Sequence, residues 1–356
     1  MAKPPVLVLF NRPVLPPNHP EAGSEYDILD TVADTAKILS VAGFAVRQLG
    51  IAHDPRQLLD ELRDHPPLAV FNLFEGLATH PATEVSVAAM LEWLNVPFTG
   101  CPSSALTLGR DKVRVKHLLA AARIPTPSYM VIEHGPIPSW RGGWPAIVKP
   151  AMQDASIGIE QNSVVTSREE LLARIEYVLT TYGAPVLVER FIPGREFLAH
   201  VFEEGLERAV TVLPPAEIAY SANRADRWPV YTFTAKWDEA STEYKSAPVI
   251  APVELPPDAD RKLRDIAARG FKLLGCHDYA RLDLRMDADG EFHVLEINPN
   301  PYLNSVALVK GLEAIGRSHE WLIVNLTLNA IARGGGSVLP SAIKIPVNVV
   351  TGASHV

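Results

Sequence analysis

The sequence predicts an α/β protein that opens with a doubly wound parallel-sheet domain and continues into further α/β units. Three observations carry this. The chain has 356 residues, more than one hydrophobic core ordinarily holds. Its first third alternates short apolar runs with amphipathic helical stretches, the pattern of a parallel sheet covered on both faces. Pro125 and Pro127 then mark a link, and a second strand–helix–strand unit follows.

VLVLF (6–10) is a continuous apolar run, suited to a strand buried on both sides. Ser24 with Asp27 three residues on resembles a capping box, and Ile28, Leu29, Val32, Ala36 and Leu39 recur at helical spacing. Gly43 closes that helix; FAVRQL (44–49) and LAVFNLF (68–74) read as the next strands. The turn after the first strand is Asn11-Arg12-Pro13 and not a G-x-G-x-x-G, so a dinucleotide site is poorly supported. A helix over Glu84–Leu94 and a basic amphipathic one over Arg110–Ala122 complete the first third. The second unit reads as a strand at WPAIVKPA (144–151), a helix over 167–182 and a strand at APVLVERFI (184–192). Helices near 258–274 and 319–332 flank the segment of greatest interest, and the tail after the glycine run at 334–336 is expected to be loose.

Composition removes several function classes. Apolar residues make up 47% and charged residues 21%, as in an ordinary globular protein. A formal charge of -8 without a Lys/Arg block argues against a nucleic-acid partner. Cys101 and Cys276 are too few for a disulfide framework or a thiolate metal site. No apolar run is long enough to span a membrane, and the N-terminus lacks the long apolar stretch of a signal peptide, so a cytoplasmic location is expected.

The chemistry concentrates in RLDLRMDADGEFHVLEIN (281–298). Both arms alternate with period two around Asp289-Gly290, a strong tight-turn signal. With those two residues as the turn, Ala288 faces Glu291, Asp283 faces Glu296 and Arg281 faces Asn298. Opposed side chains on one sheet face lie about 5 Å apart at Cβ. Two carboxylates at that range repel unless neutralised, and with an amide oxygen they form a hard, all-oxygen set suited to Mg²⁺. Pro299 and Pro301 stop the ladder, which leaves the site at a strand end. The competing reading is a solvated face on which Arg281 and Arg285 pair the acids. Elsewhere, Lys149 ends an apolar strand, and Gln153–Gly158 is a small-residue loop whose N–H groups can surround phosphate oxygens. Glu189 and Glu196 bracket a strand end, and Lys236 lies in TFTAKW. Neither a Walker A sequence nor G-x-S-x-G occurs.

Taken in order, FNLFEG, LNVPFTGCPSSALTLGRDK, PAIVKPAMQDASIGI, LVERFIPGREF, AKW and GCHDYARLDLRMDADGEFHVLEINPNP resemble the D-alanine–D-alanine ligase branch of the ATP-grasp superfamily, over about 70–326. The resemblance implies a three-domain ATP-grasp architecture: an N-terminal domain over 1–110, a central subdomain over 111–190, a C-terminal subdomain with the metal site over 191–335, and a tail over 336–356. It implies an ATP-dependent carboxylate–amine ligase that forms an amide through an acyl phosphate. Lys112 and Lys149 would hold ATP phosphates, with Ser156 and its backbone capping the terminal ones. Glu189 would take the adenine amino group near the Ile192 backbone, and Glu196 the ribose hydroxyls. Asp283, Glu296 and Asn298 would ligate two Mg²⁺, with Mn²⁺ as a substitute. Arg281 would stabilise charge developing at the acyl carbon's oxygen, and Lys236 would lie on a closing loop. Glu25 is the counterpart of the acid that holds the first substrate's amino group.

The departures lie in the acceptor half. FNLFEGLATH replaces an HGxxGEDG-type stretch, which makes Glu75 a pocket candidate and adds His80. Tyr302 adds bulk beside the reaction centre, and Ala307 stands where the family places a carboxylate-anchoring Ser. The expected substrates are therefore a small-molecule carboxylate and an amine other than D-alanine, with D-alanine ligation and a non-catalytic nucleotide-binding module as the alternatives. Related ligases are often homodimers.

Overall fold

The computed structural model describes residues 3–16, 19, 26–153, 156–205, 207–221, 227–336 and 343–345. Strands β1 (Pro5–Asn11), β2 (Ala45–Ile51) and β3 (Ala69–Leu73) pair in parallel in the order β2-β1-β3. Side chains alternate across a strand, so β1 feeds two cores. Val6 and Val8 pack with Ile28, Val32 and Leu39 of helix α1 (Ile28–Ala42). Leu7 and Leu9 pack with Leu58 and Leu62 of α2 (Arg56–Asp64) and Val87 and Leu91 of α3 (Thr83–Trp93). The doubly wound unit is thus present as expected. Ser24 lies outside the described residues, and Asp27, the N-cap of α1, makes no side-chain capping bond.

Helices α4 (Ser103–Gly109) and α5 (Lys112–Ala121) lead to an antiparallel central sheet of β4 (Tyr129–Ile132), β5 (Ala146–Pro150), β6 (Val164–Val165) and β7 (Val186–Arg190), in the order β4-β7-β5-β6. Ala146, Val148, Val186 and Val188 face Leu171, Ile175 and Val178 of α6 (Arg168–Tyr182). Period two then turns Ile147, Lys149 and Glu189 to the other face, which lines a cleft.

The third sheet runs β11-β10-β8-β12-β13, with β9 also on β8. Its strands are β8 (Arg195–Glu204), β9 (Ala209–Val212), β10 (Ala216–Ile218), β11 (Val249–Ile250), β12 (Tyr279–Met286) and β13 (Phe292–Pro299). Short helices α7 (Phe233–Trp237) and α8 (Thr242–Lys245) lie between β10 and β11. The amphipathic α9 (Pro257–Leu273) packs Leu263, Ile266 and Phe271 against Leu282, Leu284, Val294 and Ile297. Helix α10 (Val306–Ala314) follows the sheet. Helix α11 (His319–Arg333) returns to the first domain, where Trp321, Leu322 and Ile323 share a core with Val6 and Val8. The tail is tighter than expected where it is described: Ile343 is buried in that core, and the Lys344 N–H donates to the Ala42 carbonyl.

Candidate active site

A cleft of about 1130 Å³ opens between the central and C-terminal sheets and reaches Glu75, just beyond β3, and Asp27 and Ile28 at the start of α1. Lys112, Lys149, Ser156, Glu189, Ile192, Glu196, Lys236, Arg281, Asp283, Glu296, Asn298, Glu75 and Tyr302 all line it. Glu25 lies outside the described residues, and His80 is exposed on a turn beside Thr79, away from the cleft lining.

The metal candidates meet as anticipated, although by a different route. Arg281 pairs with Asn298 and Asp283 with Glu296, on one face. The turn, however, is not the two-residue Asp289-Gly290. It is a three-residue loop, 288–290, closed by Asp287 N–H to the Glu291 carbonyl and by Asp287 Oδ1 accepting the N–H groups of Asp289 and Glu291. Ala288 therefore does not face Glu291. The ladder pairs Met286 with Phe292 and Leu284 with Val294, and a bulge at Leu295 restores the anticipated register beyond it. Two one-residue differences cancel. The bulge also lets the Val294 carbonyl accept from Lys116 Nζ at 3.1 Å and Thr126 Oγ1 at 2.8 Å.

Arg281 chelates Asp283 through Nε (2.6 Å) and Nη2 (2.9 Å). That part of the competing ion-pair reading is correct. Arg285 does not pair these acids; it holds Glu196 through Nε at 3.1 Å and donates to the Ile192 carbonyl at 2.7 Å. Burial raises the Asp283 carboxyl, Arg281 opposes this and Glu296 adds to it, leaving it at about 6. Burial also acts on Glu296, but Lys112 (3.5 Å away), Lys149 and Arg281 outweigh it and hold that carboxylate well below its usual range. An ionised Glu296, an opposed Asp283 whose charge is disfavoured by burial, and the Asn298 amide whose Nδ2 lies 3.4 Å from Glu296 form an oxygen-rich set. Such a set fits a hard divalent cation, which would relieve the repulsion.

Toward the central sheet, Glu189 is fully enclosed and ion-paired to both Lys149 and Lys116. Burial would raise its pKa, but the two lysines leave it lowered. Lys112 Nζ donates to the Gln153 carbonyl at 2.7 Å, which ties the start of α5 to the small-residue loop. Ser156 sits at φ +63, the left-handed region that tight loops adopt. Lys116 escaped the sequence reading. Its side chain, 1% exposed, also reaches Thr126 Oγ1 at 2.7 Å, and burial, opposed by Glu189, lowers it to about 8. The signal was a lysine one turn after Lys112, on the same helix face.

At the acceptor end, Glu75 lines the cleft with much of its surface open to solvent, although many protein atoms surround its carboxyl. Burial raises its carboxyl, Lys236 opposes this and Asp27 reinforces it, giving about 7. Tyr302 shares this end, its hydroxyl raised by burial and by the charges of Asp27 and Glu75.

Two antiparallel sheets closing on a cleft, beside a parallel-sheet domain, are the ATP-grasp architecture. The structure of the Bacillus anthracis D-alanine–D-alanine ligase complexed with ATP matches at a TM-score of 0.68 with 18% identity, covering 94% of this chain and 99% of that one. The D-alanine–D-alanine ligase of Coxiella burnetii matches at 0.67 with 19% identity, over 94% and 96%. In sequence, the D-ala D-ala ligase C-terminus family model matches residues 118–327. An uncharacterised protein of Sinorhizobium fredii is 34% identical over 71% of this chain and 72% of its own length. The D-alanine–D-alanine ligase of Alcanivorax borkumensis is 30% identical over 70% and 74%. The chain belongs to the D-alanine–D-alanine ligase family of ATP-dependent, ATP-grasp ligases.

Proposed function

We propose that this protein joins a small carboxylate other than D-alanine to an amine, forming an amide through an acyl phosphate with release of ADP and phosphate. The observation that carries the reading is the row of Arg281, Asp283, Glu296 and Asn298 on one sheet face, opposite Lys112 and Lys149 across the cleft. A binding-only module has no need of that set. Phosphoryl transfer from ATP to a carboxylate brings anions together, so neutralisation and positioning supply most of the catalysis.

In this reading Lys112 and Lys149 hold phosphate oxygens and Ser156 caps the terminal ones. Glu189 keeps Lys116 as its buried counter-ion, so the carboxylate stays ionised when Lys149 turns to a phosphate, and its remaining lone pairs accept from the adenine amino group. Glu196, oriented by Arg285 and by the Tyr220 hydroxyl at 2.6 Å, meets the ribose. Asp283, Glu296 and Asn298 would hold two Mg²⁺, which screen phosphate charge when bound. Arg281, braced by Asp283, meets the oxygen on the acyl carbon. Lys236, stacked 5.2 Å over the Trp237 ring, belongs to the segment that excludes water from the acyl phosphate. Glu75 and Tyr302 shape the substrate pocket.

Support for a substrate other than D-alanine comes from the acceptor end: Glu75 and Tyr302 crowd the cleft, and Ala307 offers no hydroxyl. The test supplies ATP and Mg²⁺ with pools of amino acids and small carboxylic acids and follows phosphate release. Release with a pool lacking D-alanine is expected. D-alanine-dependent release would favour the relatives' named reaction, and ATP binding without release from any pool would favour a module.

A further inference from the structure

His200 is a residue that none of these roles uses. It lies on β8 directly opposite Arg281 of β12, which itself lies opposite Asn298 of β13. The three form one row across the face that lines the cleft. The side chain is only 3% exposed, it lines the cleft, and its Nε2 is enclosed without a hydrogen-bond partner among the described residues. An enclosed ring nitrogen without a hydrogen-bond partner costs stability.

Its neighbours narrow what could satisfy that nitrogen. Arg281 commits Nε and Nη2 to Asp283, and Nη1 makes no hydrogen bond among the described residues. The adjoining wall, α10, packs against β8 and presents Ala307, which carries no polar atom. Asn304 and Ser305, at the start of that wall, also line the cleft, and Asn304 Oδ1 has no partner among the described residues, but an amide oxygen does not donate to a carboxylate. On the sheet itself, His200 is the neighbour of Arg281 whose enclosed side-chain nitrogen has no partner among the described residues. Burial and then the Arg281 charge hold the imidazole neutral, down to about 3. A group that weakly basic does not keep a proton taken from an ammonium, so hydrogen-bond donation remains and general-base action does not.

We propose that His200 is a substrate-contacting residue whose Nε2–H donates to a carboxylate oxygen of the substrate held against Arg281. This deepens the ligase reading and rests on its placement of the carboxylate. The ligand class is a planar carboxylate, accepting from an imidazole and a guanidinium side by side.

Calorimetry with the full chain tests this. ADP with Mg²⁺ is titrated alone; a panel of small carboxylic acids and amino acids is then titrated onto the ADP-bound protein, for wild type, His200→Ala and His200→Gln. Expected is at least one carboxylate that binds wild type and binds His200→Ala about tenfold or more weakly, the loss of a hydrogen bond to a charged group. His200→Gln, which keeps an N–H donor, should recover part of that loss. ADP affinity should stay within about twofold, which separates loss of a substrate contact from a general loss of fold; His200→Ala also leaves a cavity, so its thermal midpoint is not used to decide. Unchanged carboxylate affinity in His200→Ala, a parallel loss of ADP affinity, or no carboxylate bound by wild type would overturn the assignment. Carboxylate binding that depends on His200 but never leads to phosphate release would leave it standing and remove the ligase reading.

Discussion

Glu296 and Asp283 are neighbours in different states. One is held ionised by surrounding cations; the other is pushed to about 6 by burial. Glu296 borders the cleft with its side chain 30% exposed, so losing its charge removes little packing. Glu296→Gln should lower turnover by about 100-fold or more while shifting the chemical denaturation midpoint very little. Equal losses of activity and stability would make the residue structural. Glu75 yields a pH prediction. Its raised pKa of about 7 leaves it increasingly neutral as pH falls through 7, so in the pocket role proposed for it an amine substrate would meet more negative charge as pH rises through that value. The apparent KM for the amine should fall across pH 6 to 8, and Glu75→Gln should flatten that profile. A profile unchanged by the substitution would place the titration elsewhere.

The decisive element is the β12–β13 hairpin. Strand β12 keeps strict alternation, Leu282 and Leu284 to the core and Arg281, Asp283 and Arg285 to the cleft side. Strand β13 buries Phe292, Val294 and then Ile297, a step of three that marks the bulge at Leu295. That step was readable in the sequence as a break in the apolar period; the aspartate-glycine turn signal drew the count instead. Asp287 shapes the loop by accepting two N–H groups and by pairing with His293 at 2.9 Å. Asp287→Ala should cost about 1 to 2 kcal/mol of stability, two exposed hydrogen bonds' worth, and leave kcat nearly unchanged, as measured by denaturant titration beside steady-state kinetics. A large fall in kcat would mean the loop sets the register at Glu296. Helix α5 shows the reverse case: it reads as a basic amphipathic helix, which suggests a solvated face, yet Lys112 and Lys116 are both buried against acids of other elements.

Across the whole molecule, the first domain is clamped to the C-terminal sheet at the acceptor end of the cleft. Asp278 is completely buried; it accepts from Arg333 Nη1 and Nη2 at 2.5 and 2.8 Å and from the Gly100 N–H at 2.7 Å. Gly100 has φ +94, and a Cβ there would lie 2.6 Å from Asn300 Oδ1, so this junction admits only glycine. Arg333→Ala leaves Asp278 buried and unpaired and should cost about 3 to 5 kcal/mol. Because Glu75 and Tyr302 approach the cleft from the two sides of this junction, KM for the substrates should rise more than KM for ATP. Parallel changes in the two would separate the clamp from the acceptor pocket.

By itself the sequence determined the doubly wound first domain, the cleft-lining lysines Lys112 and Lys149 and the opposed acids, because period, turn chemistry and ordered motifs act over short stretches of chain. Tertiary structure alone decided the rest. It assigned Glu189 two buried lysines from separate elements, sent Arg285 to Glu196 and not to the metal candidates, returned α11 to the first sheet, and enclosed the His200 Nε2 without a partner among the described residues. Ion-pair partners and enclosed cavities depend on which elements meet in space, and a buried charge pairs with whatever opposite charge packing brings within reach.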